Sequence, residues 1–158
     1  MSSFIKFLSV RPPGKYFIFI PLGYTLFLQI LTGFPKADSL KSLDASELFI
    51  RFSEELFDYP FWLQDLSHLP LFFILAWLWS WQLGPIKCAM GILTNKACLF
   101  SIFYAIANEM AQAFIPDRFP SSGDLIMNLL GVSLGLYLHS RQFHKITSKS
   151  FQTQKTYP

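Results

Sequence analysis

The sequence predicts an all-α fold: a polytopic membrane helical bundle of about four transmembrane helices plus a short interfacial amphipathic helix. Three observations predict it. Apolar residues make up 52% of the 158-residue chain and Phe alone occurs 18 times, while 15% of residues are charged, against about a quarter in soluble domains. The apolar residues fall into four runs of near-membrane length, since about 20 helical residues cross the hydrocarbon core. The Lys and Arg residues gather in short clusters between those runs, which suits membrane orientation rather than a stripe tracking nucleic acid. No nucleic-acid partner is expected despite the net charge of +3.

The first span covers about 16–34, longer than a signal peptide's apolar region of about 7–15 residues. No small-x-small cleavage site follows it, so it reads as an uncleaved helix, with Pro21 as a candidate bend. The connection over 36–64 is acidic. Within it Leu48, Phe49, Phe52 and Leu56 recur at helical spacing and Glu47 and Arg51 form an i,i+4 pair, which predicts a short helix lying in the membrane interface. Asp44 and Glu47 have the spacing of a capping box at its start. The second span, about 66–83, ends at Gly84-Pro85, and Trp77, Trp79 and Trp81 near its far end suit an aromatic belt. The third covers about 97–115 and is closed by Pro116. The fourth, about 122–139, starts at Ser121 or Ser122. Residues 1–140 thus form the transmembrane domain, and 141–158 a loose, basic cytoplasmic tail. Up-down-up-down is the simplest arrangement.

Four spans put both termini on one side. That side collects Lys6, Arg11, Lys15, Lys87, Lys96, Arg141, Lys145, Lys149 and Lys155, nine of the 13 basic residues. Lys36, Lys41, Arg51 and Arg118 lie opposite. The positive-inside rule then places both termini in the cytoplasm of a multi-pass protein of the cell membrane. All acidic residues fall in the outer half. Cys88 and Cys98 lack metal-ligand spacing, fall near the inner half and read as packed or idle thiols. No metal or cofactor is expected.

Three helix ends meet the outer face, and each carries polar groups. The second span enters with Asp65 and His68, i and i+3. The third leaves through Asn108, Glu109 and Gln112. The fourth enters through Asp124 and Asn128, one turn apart, and Gly131 and Gly135 continue that stripe, permitting close helix packing. Glu109 lies about 20 Å along its span, where a lipid-facing carboxylate costs roughly 3 kcal/mol at a helix centre. It must therefore face the interior, hold a proton or pair with a cation. Arg118 is the nearest cation in sequence and His68 the second.

These residues resemble the VanZ-like family. Glu109-Met-Ala-Gln112-Ala-Phe114 followed by Pro116-Asp-Arg118, and then Asp124, Asn128 and Gly131 at the start of the last helix, are similar to that family's signature. Asp65 and His68 are similar to its upstream Asp-Lys and His element, with Leu66 where Lys is usual. The resemblance covers about 65–135. It implies a small multi-helix protein of the bacterial envelope; the family's namesake is associated with teicoplanin resistance, and no activity is established for the family as a whole.

Three functions follow for Asp65, His68, Glu109, Gln112, Arg118, Asp124 and Asn128. The cluster recognises a glycopeptide antibiotic, a lipid-linked wall precursor or a partner protein, with Arg118 meeting an anionic group. Alternatively it forms a membrane-embedded enzyme acting on a lipid-linked substrate, with Glu109 or Asp124 as base, His68 as acid or base and Arg118 as anion stabiliser. A divalent cation on Asp65, His68, Glu109 and Asp124 is a variant of that reading. Third, the cluster only locks the helices together.

Overall fold

A computed structural model describes residues 6–10, 12, 14–87, 94–116 and 118–155, with side chains described as far as 148. Arg11, Cys88 and Asp117 lie outside the described residues, which are helical or irregular without strands. A single 3-10 turn, Lys15–Ile18, leads into α1 (Phe19–Thr32). Then come α2 (Ala37–Ser42), α3 (Glu47–Phe57), α4 (Phe61–Leu83), α5 (Lys96–Gln112) and α6 (Ser122–Lys155).

Side-chain contacts give the helix directions. Gly131 packs on Leu69 and Phe73, and Gly135 on Phe73 and Ala76, so α6 runs parallel to α4. A Cβ on Gly135 would stand 2.5 Å from the Phe73 carbonyl oxygen, so this close approach requires glycine. α1 runs antiparallel to α4, with Tyr24 Oη donating to the Leu71 carbonyl at 2.9 Å and Phe17 packed on Trp81. It runs with α5, meeting Tyr104 through Thr25 and Asn108 through Thr32. Leu28, Phe72, Leu75, Ala76, Trp79, Val132 and Leu136 form the core between the helices.

The interior is polar and much of the exterior apolar. His68, Asn108, Glu109, Gln112 and Asn128 are buried, while Phe19, Leu26, Phe27 and Ile30 of α1 are exposed. So are Leu99, Ile102, Phe103, Ile106 and Met110 of α5, and Ile126, Leu130, Leu134 and Tyr137 of α6. Water-soluble domains mostly bury Leu and Ile and expose Glu and Gln; here a buried polar group lies beside the apolar core, and many large apolar side chains are exposed.

Two helical stretches, Lys15–Thr32 and Phe61–Leu83, are long and apolar enough to cross a membrane. α5 has 17 residues and carries Asn108, Glu109 and Gln112. It stops at Gln112 rather than at Ile115, because a succession of turns follows before Pro116. α4 begins at Phe61, ahead of the expected Leu66, since Pro60 in extended conformation sets its start.

Several local expectations are overturned. Pro21 stands in the first turn of α1, where a missing N–H costs little, so it is no mid-helix bend. Trp79 and Trp81 are buried rather than forming a belt. Trp77 and Trp81 donate to the carbonyls of Leu8 and Phe7, each at 2.9 Å, and fasten the N-terminal segment. The capping box does not form: Asp44 turns the chain with φ of 52°, and Ser46 occupies the N-cap of α3 without a side-chain bond. The Glu47–Arg51 pair is made at 2.6 Å, and α3 exposes Leu48, Phe49 and Phe52. The tail is not loose as far as Lys155, because α6 runs through it. Nothing between Arg141 and Lys155 is Gly or Pro to stop it.

Candidate functional site

Glu109, in the last turn of α5, is 4% exposed. Its Oε1 accepts from Asn128 Nδ2 at 3.0 Å and its Oε2 from the Ser121 backbone N–H at 3.2 Å. Ser121 also caps α6, its Oγ accepting from the N–H groups of Gly123 and Asp124 at 3.1 and 3.4 Å. The carboxylate therefore sits at the N-terminus of α6, where open N–H groups and the helix dipole favour negative charge. Hydrogen bonds to a charged group contribute about 1.5–3 kcal/mol each, which offsets part of the cost of removing a carboxylate from water.

Asn128 is fully buried and links Glu109 to His68, whose Nδ1 lies 2.9 Å from Asn128 Oδ1. On the other side of the ring, His68 Nε2 faces Asp124 Oδ1 at 3.8 Å, beyond hydrogen-bond range. That Oδ1 is a buried atom without a hydrogen-bond partner among the described residues. The Asp65 carboxyl lies against the first turn of α6, beside Gly123. Asp65 reaches this position because Gly123 leaves room: a Cβ there would stand 2.5 Å from Asp65 Oδ2.

A second group of contacts centres on the end of α1. The Thr32 carbonyl is one of the terminal acceptors that a helix leaves open. Arg118 Nη2 donates to it at 3.0 Å and Gln112 Nε2 reaches it at 3.5 Å. Thr32 Oγ1 lies 2.7 Å from Asn108 Oδ1. The Arg118 guanidinium lies 4.8 Å over the Phe57 ring of α3, a cation–π contact. Burial pushes Arg118 below the usual guanidinium range, opposed by the charges of Asp124 and Glu109.

Neither cation expected to pair with Glu109 does so. Arg118 makes no ion pair among the described residues and is spent on Thr32 and Phe57. His68 meets Asn128 and faces Asp124. Two neutral donors hold Glu109 instead, the Ser121 N–H that precedes α6 and the Asn128 amide within it.

Both groups wall one cavity of about 750 Å³ at this end of the bundle. Asp65, His68, Gln112, Arg118 and Asp124 are among its polar lining residues, and Leu31, Leu56, Phe61, Leu71 and Phe119 among its apolar ones. Glu109 and Asn128 stand behind His68, outside the lining. Gly131 and Gly135 do not line the cavity and hold α6 on α4. Sequence reasoning missed Thr32, Phe57, Ser121 and Lys36, all of which touch or line the site. Two of these carried a signal: Thr32-Gly33 marks a helix end with open carbonyls, and Ser121 a helix start with open N–H groups. Among the described residues, no three His, Cys, Asp or Glu side chains are arranged to hold a metal ion. Cys98 is a buried free thiol.

A family model described as VanZ/LLP1 matches residues 3–143, well beyond the stretch on which the resemblance was read. No curated protein and no solved structure matches the chain.

Proposed function

Because the chain belongs to the VanZ-like family, we propose that it is a multi-pass protein of the bacterial cytoplasmic membrane whose outward cavity binds the polar head of an envelope ligand. The ligand is a lipid-linked wall precursor, another lipid or a glycopeptide, and Arg118 meets its anionic group. One observation carries the reading. A half-buried guanidinium that makes no ion pair among the described residues lines a cavity of mixed polar and apolar lining. Such a cation costs desolvation energy that a bound anion would repay.

Four spans with both termini in the cytoplasm are supported by the exposed apolar faces of α5 and α6, which suit hydrocarbon. The distribution of charge supports the same orientation. Lys15, Lys87, Lys96 and Arg141 fall at the end of the bundle where Trp81 meets Phe7 and where Ile86 meets Ser140. The cavity then opens toward the wall, where glycopeptides and wall precursors are found.

The test is a binding screen of the purified full-length protein against envelope lipids, wall precursors and glycopeptides, with Arg118→Gln as control. Binding lost in the variant, at unchanged membrane abundance, is the expected result. A variant that binds like the parent would remove Arg118 from the site. Glycopeptide susceptibility of cells carrying either form tests a link to resistance.

A second reading has one observation in its favour. His68 Nε2 and the unbonded Asp124 Oδ1 face each other at the cavity wall, as an acid–base pair would in an enzyme acting on a lipid-linked substrate. Glu109 stands behind this pair and would act through it. Turnover of an envelope lipid that disappears in His68→Asn would favour it; no turnover of any would end it.

A further inference from the structure

The cavity carries charges of both signs. Lys36 and Arg118 line it, and neither makes an ion pair among the described residues. Asp65 and Asp124 also line it, and Asp124 Oδ1 faces His68 Nε2 at 3.8 Å. A site evolved for a simple anion has no use for two carboxyls, which would repel it. A site for a simple cation has no use for a half-buried guanidinium. We infer that the cavity takes a phospholipid with a zwitterionic headgroup, its phosphodiester on Arg118 and Lys36 and a primary ammonium on Asp65, Asp124 and His68. The assignment rests on the reading that Arg118 meets a ligand's anionic group.

The acceptor count favours a primary ammonium. His68 uses its Nδ1 proton on Asn128, so the neutral ring offers Nε2 to the cavity as an acceptor. Together with the two carboxyls this makes three acceptor groups, enough to take the three N–H donors of a primary ammonium. A quaternary ammonium has none to give. The apolar lining of Leu31, Phe61, Leu71 and Phe119 suits the glycerol and first acyl carbons. The volume of about 750 Å³ falls within the roughly 300–1,000 Å³ of small-molecule sites.

The test uses the purified full-length protein with three synthetic dioleoyl lipids: phosphatidylethanolamine, phosphatidylcholine and phosphatidylglycerol. Native mass spectrometry reads how much of each is retained. Phosphatidylethanolamine should be held about tenfold more than either competitor, the scale of one charge-assisted contact. Asp124→Asn should flatten that preference, and Lys36→Gln, on a loop away from the core, should weaken phosphatidylethanolamine and phosphatidylglycerol alike. The comparison on the parent protein stands even if a variant misfolds. Retention of phosphatidylglycerol equal to or above phosphatidylethanolamine overturns the zwitterion assignment, and if it still depends on Arg118 it leaves the anion reading intact. No retention of any lipid overturns the assignment, and glycopeptide binding in the wider screen would then be what preserves the anion reading.

Discussion

His68 Nδ1 and Asn128 Oδ1, 2.9 Å apart, fix the state of the imidazole from behind. A carboxylate only accepts, so Asn128 must turn its amide nitrogen toward Glu109 and its oxygen toward His68. The ring then has to carry its proton on Nδ1 and present Nε2 to the cavity. Glu109 thus acts on the cavity through Asn128, as a positioning residue.

This polarity is reversible. In Glu109→Gln the new amide can donate to Asn128 Oδ1, turning the Asn128 nitrogen toward His68 and moving the ring proton to Nε2. Nitrogen-15 spectra of labelled histidine should show Nδ1–H in the parent protein and Nε2–H in the variant. An unchanged tautomer would separate His68 from Glu109.

Arg118 and Gln112 share one acceptor, the Thr32 carbonyl. Removing either leaves it a partner, so Arg118→Ala and Gln112→Ala should each cost about 1 kcal/mol. The double variant leaves a buried carbonyl unsatisfied and should cost more than the sum by about 1 kcal/mol. Additive unfolding midpoints in detergent would show that the two side chains act independently.

Gly135→Leu should force α4 and α6 apart, since even a Cβ meets the Phe73 carbonyl and the Ala76 methyl. Overpacking of this kind costs about 1–3 kcal/mol, visible as a lowered thermal midpoint. Gly23 has nothing within 4 Å of its Cβ position, and Gly23→Ala is the control that should leave the midpoint unchanged or slightly raised.

Asp44 holds a left-handed backbone conformation, φ 52°, that glycine adopts without cost. Asp44→Gly should leave stability the same or raise it by a few tenths of a kcal/mol. A loss above about 1 kcal/mol would mean that the Asp44 side chain contributes more than the turn does.

Orientation can be read with single cysteines at Lys41, Phe119, Lys87 and Lys145 in a background without Cys88 and Cys98. The first two should react with an impermeant maleimide on intact cells, and the other two only after permeabilisation. External labelling at Lys87 would invert the proposed topology.

The order of the elements and the polar cluster were legible because each rests on spacing along one helix. Asp65 with His68, Glu109 with Gln112 and Asp124 with Asn128 share faces by helical periodicity alone. The pairing among them was not legible, because it depends on which helix ends meet in space. Arg118 is close to Glu109 in sequence, yet the turns after Gln112 carry it to the end of α1. Trp81 was misread as interfacial because its partner, the Phe7 carbonyl, belongs to a segment distant in sequence. The continuation of α6 past Ser140 was missed because a basic, polar composition describes a solvated helix and a loose tail equally well.

That continuation makes α6 a lever. From the middle of the Gly131–Gly135 contact, Asp124 lies about 13 Å one way and Lys155 about 33 Å the other, at 1.5 Å per residue. With the contact as fulcrum, a rigid tilt that shifts Asp124 by about 1 Å sweeps the far end through about 2.5 Å. On that geometry a movement at the cavity wall would read out larger at the opposite end of the same helix, unless the Ile86–Ser140 contact holds it.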